Sequence, residues 1–171
     1  PLIDPERLND YEMGVGYRDG HTYLKLTGFR LDFRNEIVPS GQIDRYGVPI
    51  TGNAARSEHE GIEFEGSWSR PSGIEISGNA SLSRNRFKDY REYLDPGAYN
   101  EWGGNTVAGF PDRMANLTVG YRRGGARAAL TLSEVGRQYL NNSEDNRKNP
   151  ALRDAPGYQR KLIEEHAVLN G

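Results

Sequence analysis

The feature that most constrains this chain is a set of segments with apolar residues at every second position, joined by connections that are alternately very short and very long. One set is Tyr11, Met13, Val15 and Tyr17, and another is Ile62, Phe64 and Trp68. The pattern returns at Ile74, Ile76, Ala80 and Leu82, at Ala115, Leu117, Val119 and Tyr121, and at Ala126, Ala128, Leu130 and Leu132. Successive strand residues point to opposite faces, so each segment has one apolar and one polar or small face. Three connections are tight: Arg18 to His21, Ser69 to Gly73 and Arg122 to Gly125. The others, at about 34–57, 84–112 and 137–160, are polar and rich in Gly, Asn, Asp and Tyr. Short turns at one end and long loops at the other are the pattern of an antiparallel transmembrane β-barrel. A soluble β-sandwich gives no reason for that alternation, and loops beyond about 15 residues are uncommon in compact domains.

Tyr17, Trp68 and Tyr121 each close a segment and are each followed at once by a tight turn. Three amphipathic rings at one height match the aromatic girdle of a membrane interface. The mean hydropathy of -0.81 and the 35% hydrophobic content do not oppose a barrel, because only alternate strand residues meet lipid. No run approaches 18 apolar residues, which excludes a transmembrane helix. The absence of cysteine excludes a disulfide scaffold and any Cys-based metal or nucleophile site. A formal charge of -2 gives no push toward nucleic acid.

Strands are expected at about 8–18, 22–36, 56–69, 73–87, 112–122 and 126–139, with the start of a seventh at about 163–171. Seven strands, one of them cut off, do not close, and a sheet edge left unpaired in lipid costs several kcal/mol per backbone group. The chain also opens at Pro1 without an initiator Met or a charged-then-apolar leader. The expectation is a single unit, residues 1–171, that is an internal piece of a longer protein. The second strand carries a conflict of phase: Leu24 and Leu26 share one parity, and Phe29, Leu31 and Phe33 share the other. A β-bulge near Thr27-Gly28 would flip the face and is predicted there.

Little here suggests bond chemistry. In Glu58-His59-Glu60 the histidine of an extended segment faces away from both glutamates, and the reading is a solvated strand end, not a metal site. His21, His59 and His166 are scattered and give no support to a hydrolytic triad. Gly14-x-Gly16 lies within a strand and lacks the strand-to-helix context of a dinucleotide site. The glycosylation-type triplets beginning at Asn79, Asn116 and Asn141 are read as chance. The chain is expected to be no enzyme and to hold no cofactor or metal.

Several short motifs support a family comparison. Pro5-Glu6-Arg7 followed by Tyr11-Glu12-x-Gly14-x-x-Tyr17 resembles a barrel segment of TonB-dependent outer-membrane receptors. Asn53-Ala54 followed by His59-Glu60-Gly61-Ile62-Glu63-x-Glu65-Gly66 is similar to a later strand of that barrel. Pro111-x-Arg113-x-x-Asn116-x-x-x-x-Tyr121, Gly136-Arg137-Gln138-Tyr139-Leu140-Asn141-Asn142 and Ala167-Val168-Leu169-Asn170 resemble still later pieces, in the family's order. His166 departs from the family's frequent aromatic. The resemblance implies about seven strands, roughly the fourteenth to the twentieth, of a 22-stranded barrel. An N-terminal plug domain, the earlier strands and the last strands would lie outside this chain. The resemblance also implies a Gram-negative outer membrane, a TonB energy-transducing complex as partner, and import of a scarce nutrient, most often a ferric siderophore or similar iron chelate. A passive porin-like channel is the first alternative, and a soluble extracellular β-domain for adhesion the second.

Cationic and aromatic residues gather where the long connections would meet a ligand. These candidates are Arg45, Tyr46, Arg84, Arg86, Tyr90, Tyr93, Tyr99, Trp102, Arg137 and Tyr139. Guanidinium groups suit the carboxylates or catecholates of an anionic iron chelate, and rings stack on flat ligands. Glu12, Glu63, Glu65, Glu75 and Arg127 are expected on the lumen face, in contact with a plug.

Overall fold

The structure, a computed structural model, describes residues 3–95, 97–144 and 150–171. Its elements in chain order are strands β1 (Arg7–Arg18), β2 (Thr22–Ile43), β3 (Pro49–Ser69) and β4 (Ile74–Asp89), then β5 (Arg91–Asp95), β6 (Ala98–Glu101), β7 (Arg113–Arg123), β8 (Ala126–Val135) and β9 (Gln138–Tyr139). A single helical turn, α1 (Pro150–Arg153), precedes β10 (Leu162–Ile163) and β11 (His166–Asn170). Seven strands form one antiparallel sheet in the order β1-β2-β3-β4-β7-β8-β11, while β5 pairs with β6 and β9 with β10 in small two-stranded ladders. The large sheet thus has two ends, at β1 and β11, with no further strand beside them among the described residues.

The pairing register sorts the side chains cleanly. Residues directly opposite share a face, so Tyr17, Leu24, Gly66 and Gly78 align, as do Val15, Leu26, Phe64 and Ala80. Extending this across β7 and β8 gives one continuous apolar band that includes Ile62, Ile76, Leu117, Val119, Leu130 and Leu132. The band is left uncovered: Met13 is 83% exposed and Leu117 47%. Tyr17, Trp68 and Tyr121 lie on this face at the end of the short turns. The Asp19 carboxylate ties the first of those turns by accepting from the His21 and Thr22 N–H groups, each at 2.7 Å.

The opposite face is polar at the same height, with Glu12, Lys25, Thr27, Glu63, Glu65, Asn79, Asn116 and Thr118. Gly61 sits on that face beneath Phe29, and a Cβ there would meet Leu82 O at 2.4 Å and the Phe29 ring at 2.8 Å. Only glycine leaves room for the Phe29 ring at this point.

The predicted bulge at Thr27-Gly28 is absent. Met13 faces Gly28 and Gly14 faces Thr27 without a shift, and on the other side Gly28 faces Ile62 and Thr27 faces Glu63. The irregularities of this part of the sheet fall elsewhere, between Pro39 and Ile43 and between Arg56 and Ser57. The strand keeps its face and leaves the apolar band: above Gly28 the outer side carries Arg30 and Asp32, and Phe29, Leu31 and Phe33 occupy the inner side.

The expected loop at 34–57 is also mostly strand. β2 and β3 run on as a hairpin that turns over residues 44–48, where the Asp44 carboxylate accepts from the Tyr46 and Val48 N–H groups at 2.8 and 2.9 Å. β4 likewise continues to Asp89, and the 84–112 connection contains the β5–β6 hairpin. β8 stops at Val135, short of the expected 139. Above the apolar band the outer face is charged: Arg30 pairs with Asp32 at 3.0 Å, Lys88 with Glu58 at 2.7 Å, and Arg113 with Glu134 at 2.9 Å.

Candidate functional site

Among the described residues, the buried core lies at the long-connection end. Val38, Ala54, Phe87, Tyr90 and Val107 make up this core, with Trp102 packed against it. Strands β2, β3 and β4 supply the first three, and the segment after β4 supplies the others. The long connections thus fold into a small cap over the top of the sheet. Burial, with the charge of Glu92, pushes the Tyr90 phenol up to about 12, against the hydrogen bond of Asn142.

Asn142 staples this cap. Its Nδ2 donates to the Pro39 carbonyl at 2.8 Å, its Oδ1 accepts from the Ala108 N–H at 3.0 Å, and its own carbonyl accepts from Asn105 Nδ2 at 2.9 Å. One 4% exposed side chain therefore joins all three long connections. Asn142→Ala removes the hydrogen-bond partners of the Pro39 carbonyl and the Ala108 N–H, at about 1 kcal/mol each because both groups are only partly shielded from water. The expected result is a large rise in amide exchange over residues 105–108, with the β7–β8 pairing unaffected. Unchanged exchange there would show that the staple is not what holds the cap.

A polar node lies beneath the cap on the inner face. His59 is 3% exposed and is clasped between its two neighbouring strands, β2 and β4. Its Nε2 stands 3.2 Å from Glu36 Oε1 and its Nδ1 2.8 Å from Asn85 Oδ1. Asn85 in turn donates to Ser83 Oγ at 3.0 Å, and Ser57 donates to Glu36. Phe33 and Phe110 pack edge-on against the imidazole at 5.2 and 5.0 Å. With an acceptor at each ring nitrogen the node satisfies an imidazolium. Burial alone would lower the His59 pKa, but the hydrogen bond and charge of Glu36, with Asn85 and Glu6, outweigh it and raise the pKa. The solvated strand end expected at Glu58-His59-Glu60 holds for neither side of the strand: His59 is buried, and Glu58, at 9% exposure, is paired to Lys88 on the opposite face. Serine, histidine and a carboxylate meet here, but the serine donates to the carboxylate and no hydroxyl lies on the ring, so nothing is arranged for nucleophilic attack.

The ten candidate ligand residues fall into separate groups. Arg45 stacks over the Tyr46 ring at 4.7 Å in the β2–β3 turn. Tyr93 and Tyr99 face each other across the β5–β6 hairpin at 5.8 Å, with Arg91 over Tyr99. Trp102 donates to Glu92 at 2.9 Å, and Tyr90 is interior. Arg84, Arg86, Arg137 and Tyr139 come together around a cavity of about 300 Å³ beside β4. Glu12, Glu63, Glu65, Glu75 and Arg127 share the polar face, where Arg122 grips Glu75 with two contacts of 2.8 Å. The sequence does not single out Glu36, Ser57 and Asn85, presents His59 as a solvated strand end, and offers Asn142 only within a family motif; the change of parity at Phe29, Leu31 and Phe33 is the one sign of a buried patch.

Comparison with known proteins bears on both the wall and its cap. The family model described as "TonB dependent receptor-like, beta-barrel" matches residues 1–160. Among solved structures, the ferric yersiniabactin uptake receptor FyuA from Yersinia pestis is 20% identical with a TM-score of 0.66, and the match covers 96% of this chain and 21% of that one. The siderophore receptor PiuA from Acinetobacter baumannii is 18% identical with a TM-score of 0.69, covering 98% and 22%. The ferric citrate transporter FecA is 18% identical with a TM-score of 0.69, covering 96% and 23%. The chain thus spans about a fifth to a quarter of the length of these structures. No curated protein sequence matches it.

Proposed function

The chain belongs to the family of TonB-dependent receptor β-barrels, and from that premise we propose that it forms part of the wall of an outer-membrane receptor that imports a ferric siderophore or a similar iron chelate. The observation that carries this reading is the match of family and fold over nearly the whole chain, to structures described as receptors and transporters of iron complexes. The two open ends of the sheet support a larger barrel, with residues 1–171 as a C-terminal portion of about 22 strands. In this reading the apolar band meets lipid, and the polar face with Glu12, Glu63, Glu65, Glu75 and Arg127 meets an N-terminal plug. The exposed Arg45, Tyr46, Tyr93 and Tyr99 meet the ligand first, and the TonB complex supplies the energy for release inward. The wall itself performs no bond chemistry.

The deciding experiment uses the full-length protein in a Gram-negative host stripped of its own iron receptors. Uptake of radioiron-labelled ferric chelates that stops when TonB is deleted supports the reading. Uptake that persists without TonB is the behaviour of a passive porin, and no uptake of any iron chelate overturns the proposal. The lipid-facing reading has its own check. Residues 1–171 expressed alone are expected to aggregate in water, because the uncovered apolar band and two open edges seek partners. A monodisperse, cooperatively unfolding monomer without detergent would contradict it.

A further inference from the structure

The apolar band is not smooth at its upper border. Two rows of outward side chains cross the sheet there, Tyr11-Arg30-Glu60-Arg84 above and Met13-Gly28-Ile62-Leu82 below. Between them lies an open groove of about 1060 Å³. Gly28 makes the gap: a Cβ at this position would meet nothing nearer than Met13 O at 4.0 Å. At its β4 end the groove reaches Arg84, which also lines the smaller cavity of about 300 Å³ together with Arg86 and Arg137.

These arginines are not equally committed. Arg30 is held by Asp32 and Glu58. Arg137 stands 3.6 Å from Asp112, and Glu144 accepts from the Thr106 hydroxyl at 2.8 Å. Arg84 approaches Glu60 only to 3.8 Å, beyond hydrogen-bond reach. Arg86 is half-buried, and its guanidinium takes part in no hydrogen bond or ion pair among the described residues. Leu82, Arg84 and Arg86 alternate up one face of one strand, so an apolar trough leads directly to two under-used guanidinium groups.

We propose that this is a binding site for a bilayer lipid whose phosphate headgroup carries a net negative charge, with an acyl chain in the groove over Gly28 and the phosphate held by Arg84 and Arg86. An adjoining choline cation would disfavour that contact. Guanidinium forks match phosphate geometry, and the groove is continuous with the band that meets the membrane, which selects a lipid over a free anion. The inference rests on the membrane placement in the proposed function and on nothing about the imported ligand. It assigns Arg84 and Arg86 to the outer surface of the wall, away from the lumen.

The test uses the full-length receptor with a Leu82→Trp reporter in mixed vesicles containing brominated phosphatidylglycerol or brominated phosphatidylcholine. Quenching of the added tryptophan is expected at about fivefold lower mole fraction of the anionic lipid. Arg84→Gln combined with Arg86→Gln is expected to abolish that preference, and Gly28→Leu to weaken quenching by both lipids, with heat-modifiable gel mobility confirming that each variant is folded. Equal quenching by the two lipids, a preference that survives loss of both arginines, or reversal by inorganic phosphate at constant ionic strength would each overturn the proposal. A receptor that imports no chelate yet shows the preference, or imports and shows none, separates this inference from the transport reading.

Discussion

Leu117→Arg in the full-length receptor is expected to prevent most of the barrel from folding, and Thr118→Arg is expected to be tolerated. The two positions are adjacent but lie on opposite faces of β7. Leu117 is opposite Leu132 in the apolar band, whereas Thr118 hydrogen-bonds Thr131 across the polar face at 2.9 Å. An arginine on the lipid side near the midplane costs about 2–4 kcal/mol, a large part of the stability of most folds. On the polar face it exchanges one half-buried hydroxyl pair for a cation that reaches water in the lumen. Refolding yield into detergent, or the heat-modifiable shift on a gel, distinguishes the two. Equal yields, or the reverse order, would mean that the register through Ala115 to Tyr121 is wrong.

The second large effect is expected at the buried node. Glu36→Leu removes the partner of a histidine that is 3% exposed, and breaking a buried ion pair by losing one member costs about 3–5 kcal/mol. The dependence on pH follows from the direction of the His59 shift. A histidine whose folded pKa lies above the unfolded value of about 6.5 contributes stability that is complete below that value. The contribution is then lost as pH rises through the folded pKa. The cap is therefore expected to be firmest in mild acid and to loosen from about pH 6.5 upward. His59→Leu, which keeps the packing against Phe33 and Phe110, is expected to flatten that profile. Amide exchange over residues 105–108 in the full-length receptor, followed in urea across pH, gives the midpoint of the cap's opening. A cap midpoint that rises with pH, or one equally steep in the His59 variant, would refute this account.

The lower half of the wall was legible because lipid imposes a period of two. Every outward position from Met13 to Leu132 must be apolar or small, and the inward positions are free to be Glu, Asn or Thr. Above Gly28 that demand ends, and the pattern ends with it. β2 and β3 continue as strands past Glu36 and Ala54, but there only single residues such as Val38 and Ala54 enter the cap core and no run of alternating apolar residues forms, so the sequence there reads as loop. The bulge predicted at Thr27-Gly28 was the same effect seen from the other side: the apolar residues change parity because the burial changes from lipid outside to the cap inside. Within the candidate site, Arg84, Arg86, Arg137 and Tyr139 were found as residue types, but their meeting beside β4 depends on pairings distant in sequence. The node of Glu36, His59 and Asn85 joins positions up to 49 apart by pure topology, and no local pattern encodes it.

The separation of a dry core in the cap from an uncovered band below has a thermal consequence. The cap is held by burial of Phe87, Tyr90 and Val107 away from water, and such stabilisation weakens on cooling. The wall is held by backbone ladders that have no aqueous competitor within a bilayer, and it does not share that weakness. One polypeptide thus contains two units that cooling affects differently, joined through the continuous strands β2, β3 and β4. In the proposed receptor, cooling is therefore expected to soften the cap before the strands beneath it.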